Sequence, residues 1–119
     1  TFAKIVSFLK RTYNLNAFIQ GIDNLNQIVL GKINVLNVWR EGANLENGKL
    51  DEEIGKYAIK SFQAATAALK NNQIDVLVTA PINKYNIQAD DYRFAGHTDY
   101  LNEQLEGEAL MFMVHEDIK

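Results

Sequence analysis

Two short segments hold the residues whose types and spacing suit chemistry. Thr79-Ala80-Pro81-Ile82-Asn83-Lys84 runs straight off the apolar stretch Ile74-Asp75-Val76-Leu77-Val78. Phe94-Ala95-Gly96-His97-Thr98-Asp99-Tyr100-Leu101 follows a little further on. Each puts polar groups where a buried strand gives way to a helix, the place where open α/β sheets hold ligands. Gly96 lets a ligand or a second backbone come close. The His97 ring donates or accepts a hydrogen bond, and the Thr98 hydroxyl and nearby backbone N–H groups share the same space. A phosphate or a hydroxyl would be held well by such a set. Taken locally, plainer roles compete: Thr98 as a helix N-cap, His97 as an exposed loop residue, and Asp99 already using the helix dipole. Lys84 reads either as a donor reaching the crevice or as a solvated lysine in the first turn of a helix begun by Pro81. Asn83 would contact a ligand or shape the turn.

Other chemistries are missing from the 119 residues. The seven glycines never form Gly-x-Gly-x-x-Gly, and there is no P-loop or His-Glu-x-x-His. The two histidines, His97 and His115, are far apart in sequence and make a weak metal signal. His115 has acidic neighbours and reads as surface, as does the Asp90-Asp91 pair in a loop. Cysteine is absent, which removes disulfides, thiolate metal sites and a cysteine nucleophile, and fits a reducing cytoplasm. The net charge of −3, with scattered Lys and Arg, argues against a nucleic-acid face. For the same reason Trp39 is expected to pack over a sheet edge rather than stack on a base. No apolar run approaches a membrane span, and no secretory signal opens the chain.

The elements that must position these residues alternate between strand and helix, which argues for an α/β layer fold. Phe2, Ile5, Val6, Leu9 and Tyr13 make one stripe of a helix over 2–13, stopped by Asn14. Residues 17–20 and 33–38 read as strands, 21–31 is ambiguous, and the Gly- and Asn-rich 39–49 reads as a loop. A long helix spans 51–70, with Asp51, Glu52 and Glu53 at its start and Asn71-Asn72 at its end. Ile54, Ala58, Phe62, Ala65 and Leu69 form its expected buried stripe. Residues 74–79 are expected as a strand buried on both faces, as in a parallel sheet. A short helix over 99–106 with Gly107 at its end, and a last strand over 109–114, complete the expectation.

The two motifs, in this order and spacing, resemble the 4-hydroxythreonine-4-phosphate dehydrogenase family of pyridoxal phosphate biosynthesis. Residues 75–84 are similar to the family segment that follows its long helix. Gly96-His97-Thr98-Asp99 resembles its Gly-His-Thr-Glu segment, and Leu110-Met111-Phe112-Met113-Val114 its Met-rich strand. The resemblance implies a layered α/β/α fold of the isocitrate/isopropylmalate dehydrogenase type, of which residues 1–119 would form one α/β segment of a larger two-domain enzyme. It implies NAD-dependent oxidation and decarboxylation of a phosphorylated hydroxy-amino acid, a divalent metal (Zn, Mg or Co), and a cytoplasmic homodimer with shared sites. It assigns substrate binding to His97 and Thr98 and places Asn83 and Lys84 beside the site. Asp99 stands where Glu is usual and Ala95 where Pro is frequent. The family's Gly-rich opening, its metal-binding histidines and its nicotinamide segments have no counterpart here. NAD and metal are therefore expected to bind mainly outside this segment, and the isolated chain to be inactive. Two alternatives stay open: a relative acting on threonate or erythronate 4-phosphate, and a non-catalytic binding or assembly remnant.

Overall fold

The computed structural model describes residues 2–42, 51–88 and 92–115. Its elements run α1 (Phe2–Thr12), β1 (Ile19–Ile22), a 3-10 turn (Leu25–Gln27), β2 (Ile33–Leu36), α2 (Glu52–Lys70) and α3 (His97–Gln104). No helix among the described residues is long and apolar enough to cross a membrane.

The N-terminal half is a helix on a two-stranded parallel sheet. β1 and β2 pair in register from Ile19 with Ile33 to Ile22 with Leu36. A parallel pair needs a crossover rather than a tight hairpin, and asparagine side chains shape this one. Asn34 accepts from the Val29 N–H at 2.9 Å and donates back to the Val29 carbonyl at 2.9 Å. Asn24 caps the 3-10 turn by accepting from the Asn26 N–H. These bonds account for the asparagine-rich stretch left ambiguous in the sequence. Asn37 ties α1 to the end of β2, accepting from the Ala3 N–H at 3.3 Å, one of the donors a helix start leaves unpaired. Gly21 admits the helix: a Cβ there would lie 3.1 Å from that of Ala3. Val35, the partner of Gly21 across the pair, is buried, as is Ile22. α1 stops at Asn14, whose φ of 50° lies in the left-handed region that asparagine tolerates.

α2 carries the second half. Asp51 caps it, accepting from the N–H groups of Glu53 and Ile54 at 2.8 and 3.3 Å. Glu52 and Glu53 lie in the first turn and Lys70 in the last, and Asn72 leaves the helix at φ 54°. The buried residues share only Phe62 with the expected stripe. Gly55, Tyr57, Ile59, Phe62, Thr66 and Ala68 are buried, whereas Ala58 is exposed and Ile54, Ala65 and Leu69 are half-buried. The helix has two apolar faces, and the expected stripe looks into an open cleft. The other face builds the core with Ile87, Tyr92 and Tyr100, and Leu77, Ile82, Phe94 and Leu101 pack around it. Trp39 joins the halves. It stacks on Tyr57 with ring centroids 5.0 Å apart, so it leaves the sheet to pack on α2 rather than covering a sheet edge.

Two expected strands do not form ladders among the described residues. None of residues 74–79 is strand, Asp75 lies at a bend, and Val76 and Val78 are 73% and 88% exposed. Residues 110–114 are likewise exposed, and none of 109–114 is strand. A strand requires a neighbour to take its N–H and C=O groups, and the sheet ends at β1 and β2. Pro81 starts no helix; residues 84–87 form a turn. The short helix begins at His97 and ends at Gln104, earlier at both ends than expected, and Gly107 follows with a φ of 105°. Most of the loop expected over 39–49, and the Asp90-Asp91 pair, lie outside the described residues.

Gly55 marks the tightest approach in the fold. A Cβ there would overlap the Asn86 carbonyl where the 83–88 loop crosses α2. Gly55→Ala is expected to destabilise the chain by about 2 kcal/mol or more, since overpacking forces backbone movement. Urea unfolding of the two proteins measures the difference.

Candidate functional site

The two motifs of the sequence meet in space. Gly96 is the N-cap of α3, and His97 and Thr98 open its first turn. Thr98 is therefore not the N-cap; the cap residue offers no side chain at all. The His97 ring is half-buried and lies edge-on against Phe62 of α2, with centroids 4.7 Å apart at 68°. Thr98 and Asp99 are exposed.

A block of aromatic rings sets this position. Tyr100, one turn into α3, meets Phe62 at 5.1 Å, Phe94 at 5.1 Å and Tyr92 at 5.4 Å. Tyr92 is fully buried, and its hydroxyl donates to the Gly96 carbonyl at 3.4 Å. The same carbonyl accepts the first helical bond, from the Tyr100 N–H at 3.5 Å. Both ends of the Gly96-His97-Thr98 turn are thus tied to one packed cluster. Burial pushes the Tyr92 phenol above its ordinary value, with smaller contributions from Tyr100 and Asp99. Burial does the same to Tyr100, helped by Glu103.

Asn83 and Lys84 reach the site from the other side. Asn83 shapes the turn: its side chain accepts from the N–H groups of Tyr85 and Asn86 at 3.0 and 3.3 Å. Lys84 is exposed, and its Cε lies 4.0 Å from where a Cβ of Gly96 would sit. Gln88 holds the two loops together, donating to the Lys84 carbonyl at 3.3 Å and to the Phe94 carbonyl at 3.1 Å. His115 is exposed.

A cleft of about 350 Å³ lies beside His97, between α2 and residues 77–82. Its lining is apolar apart from Ser61, Thr79, His97 and the Tyr57 hydroxyl, which is bonded to Glu53, and it includes no Lys or Arg. An unpaired anion would lose its hydration there without compensation. Outside the cleft, Thr98 and Lys84 are exposed, and the first N–H groups of α3 have no partner within the helix. No group of three His, Cys, Asp or Glu side chains able to hold a metal occurs among the described residues. A cleft without a cation also offers no partner for a dinucleotide pyrophosphate. The residues described therefore fit neither group, and no chemical step is derived through either.

The sequence singled out His97, Thr98, Asn83 and Lys84 but not Phe62, Tyr92 and Gln88, which pack and bond around them. The spacing of Tyr92, Phe94 and Tyr100 around Gly96 was the available signal.

The class defined by these features is a mixed α/β protein with a parallel strand pair and a polar turn at a helix start. The chain belongs to the family described as pyridoxal phosphate biosynthetic protein PdxA, whose model matches residues 3–119. It is 29% identical over 118 residues to a 4-hydroxythreonine-4-phosphate dehydrogenase of Bacteroides thetaiotaomicron, covering 98% of this chain and 32% of the relative. It is 29% identical over 100 residues to the same-named protein of a Sulfurihydrogenibium species, covering 84% and 30%. A Helicobacter pylori protein of that name is 31% identical over 67 residues, covering 56% and 22%. The chain thus spans about a third or less of the length of these curated relatives. No solved structure matches it significantly.

The raised phenols make stability depend on alkaline pH. The folded state keeps these protons to a higher pH than the unfolded chain, so their contribution is complete below the ordinary value of 10.0 and is lost as pH rises through the folded values. Urea midpoints measured from neutral pH upward should fall once that value is passed. In Tyr92→Phe the fall should be shallower.

Proposed function

We propose that this chain carries the substrate-holding turn of a dehydrogenase acting on 4-phosphooxy-threonine in pyridoxal phosphate biosynthesis. The observation that carries the reading is the packing of Gly96-His97-Thr98 at the start of α3, with Lys84 against Gly96. Family membership and the names of the relatives support it. In this reading His97 and Thr98 hold the substrate by hydrogen bonds at the mouth of the cleft, and the aromatic block fixes their orientation. Orientation is the chain's contribution to rate, since a held substrate reacts without paying the entropy of encounter.

The larger protein would act as a cytoplasmic homodimer and use NAD as hydride acceptor. A divalent metal would polarise the substrate oxygen. The layered isocitrate/isopropylmalate dehydrogenase architecture belongs to the same proposal. It would supply the neighbours that residues 74–79 and 109–114 lack.

The test is calorimetric titration of the 119-residue chain with 4-phosphooxy-threonine and, separately, with erythronate 4-phosphate. The chain is expected to bind the first more tightly. His97→Ala should weaken that binding by about tenfold, the loss of one hydrogen bond to a charged ligand. Incubated with substrate, NAD and a divalent metal, the 119 residues alone are expected to form no NADH. Equal binding of both phosphates, or unchanged binding by His97→Ala, would remove the reading.

A further inference from the structure

Resting on the reading of His97 and Thr98 as a substrate-holding turn, we propose that Lys84 is a third binding residue, and that its ammonium contacts the substrate phosphate across Gly96.

Three observations bring Lys84 there. Its side chain runs over Gly96: Cε lies 4.0 Å from the position of the missing Cβ, with no other heavy atom within that range apart from the immediate chain neighbours. The ammonium is one bond beyond Cε and is therefore within reach of a ligand held at the backbone that leads into His97 and Thr98. The loop that delivers it is built rather than loose. Asn83 closes the turn beneath it, Ile87 is buried at 2% exposure, and Gln88 bridges the Lys84 and Phe94 carbonyls. Finally, Lys84 has no carboxylate partner among the described residues, where the only ion pair is that of Arg40 with Asp23.

Charge decides which part of the substrate it meets. A phosphate monoester carries nearly two negative charges at neutral pH. The helix start provides partial positive charge and unpaired N–H groups, but Asp99 sits in the first turn and offsets part of that field. A full cation on the opposite side of Gly96 restores the balance. The apolar cleft supplies no alternative, since it contains no Lys or Arg. Lys84 thus separates phosphorylated from unphosphorylated hydroxy-amino acids, a discrimination that a hydrogen-bonding pair like His97 and Thr98 does not enforce alone.

The experiment compares the unsubstituted chain with Lys84→Met, Lys84→Arg, His97→Ala and Lys32→Met. The probes are 4-phosphooxy-threonine, inorganic phosphate and unphosphorylated 4-hydroxythreonine, followed through the backbone amide NMR signals of Gly96 and Thr98. Methionine keeps the stem over Gly96, so an unchanged amide spectrum away from the loop reports an intact fold. Lys32 lies on the β1–β2 crossover and controls for net charge. Lys84→Met is expected to weaken 4-phosphooxy-threonine and phosphate by about tenfold or more, to leave the unphosphorylated compound unchanged, and to reduce the salt dependence of binding. Lys84→Arg should keep most of the affinity, and Lys32→Met all of it. If His97→Ala weakens binding while Lys84→Met does not, the proposal falls and the substrate-holding turn stands. Equal weakening by Lys84→Met and Lys32→Met overturns it as a general charge effect. If the unsubstituted chain binds neither phosphate, both readings fall together.

Discussion

The packing of Phe62, Tyr92, Phe94 and Tyr100 is the constraint on which the rest of the site depends. Aromatic pairs at offset or edge-on geometry add about 0.5–1.5 kcal/mol beyond their buried area. More important here is where the rings come from. Phe62 stands on α2, Tyr92 and Phe94 on the segment leading into α3, and Tyr100 on α3 itself. One block therefore fixes three pieces of chain relative to one another. His97 sits at its edge against Phe62, and the Gly96 carbonyl is held from below by the Tyr92 hydroxyl. The polar turn is exposed, yet its backbone is anchored in the best-packed part of the molecule. That combination suits a residue that must be accessible and still keep one orientation.

The motifs were legible because they are local. Asp51 at the start of α2, and Asn14 and Asn72 at helix ends, follow from residue types within a few positions of where they act. His97, Thr98, Asn83 and Lys84 stood out for the same reason. What was not legible depends on partners distant in sequence. Ile87 and Tyr92 fall outside every element expected from the sequence, and only the fold shows them among the most buried side chains of the described residues. The face of α2 was misassigned because the helix is apolar on two sides, and periodicity alone cannot rank two stripes. Thr98 was weighed as a cap because threonine often is one; the helix instead starts two residues earlier than expected, with Gly96 in the cap position.

Residues 74–79 and 109–114 expose the limit of strand propensity most clearly. Both are apolar and partly β-branched, and both read as strands. Neither has a ladder among the described residues, and their large apolar side chains stand mostly in the open apart from Leu77 and Ile74. Propensity describes a fit to a pleated surface, not an ability to form one alone. Local preference alone forms no ladder where no neighbouring strand takes the backbone N–H and C=O groups. Leu77 is the exception that explains the path of the chain: it packs against the aromatic core and holds residues 77–82 along the cleft.

The two faces of α2 also separate two kinds of surface that could be mistaken for one site. The cleft beside Ile54, Ala58 and Ala65 is a concavity of about 350 Å³, and by shape alone it would be a place to look for a ligand. Its chemistry argues otherwise. A phosphorylated hydroxy acid is small, polar and strongly charged, and the cleft walls would strip its hydration without returning hydrogen bonds. In the proposed reading it is the mouth, with an unpaired helix start, a hydroxyl, an imidazole and an ammonium, that would return them. His97 belongs to both surfaces: its ring closes one end of the apolar cleft and faces Phe62, while the turn that bears it opens toward solvent. The boundary between apolar wall and polar mouth passes through this one side chain, so a ligand held there would have its charge in the wet half and its carbon chain turned toward the dry one.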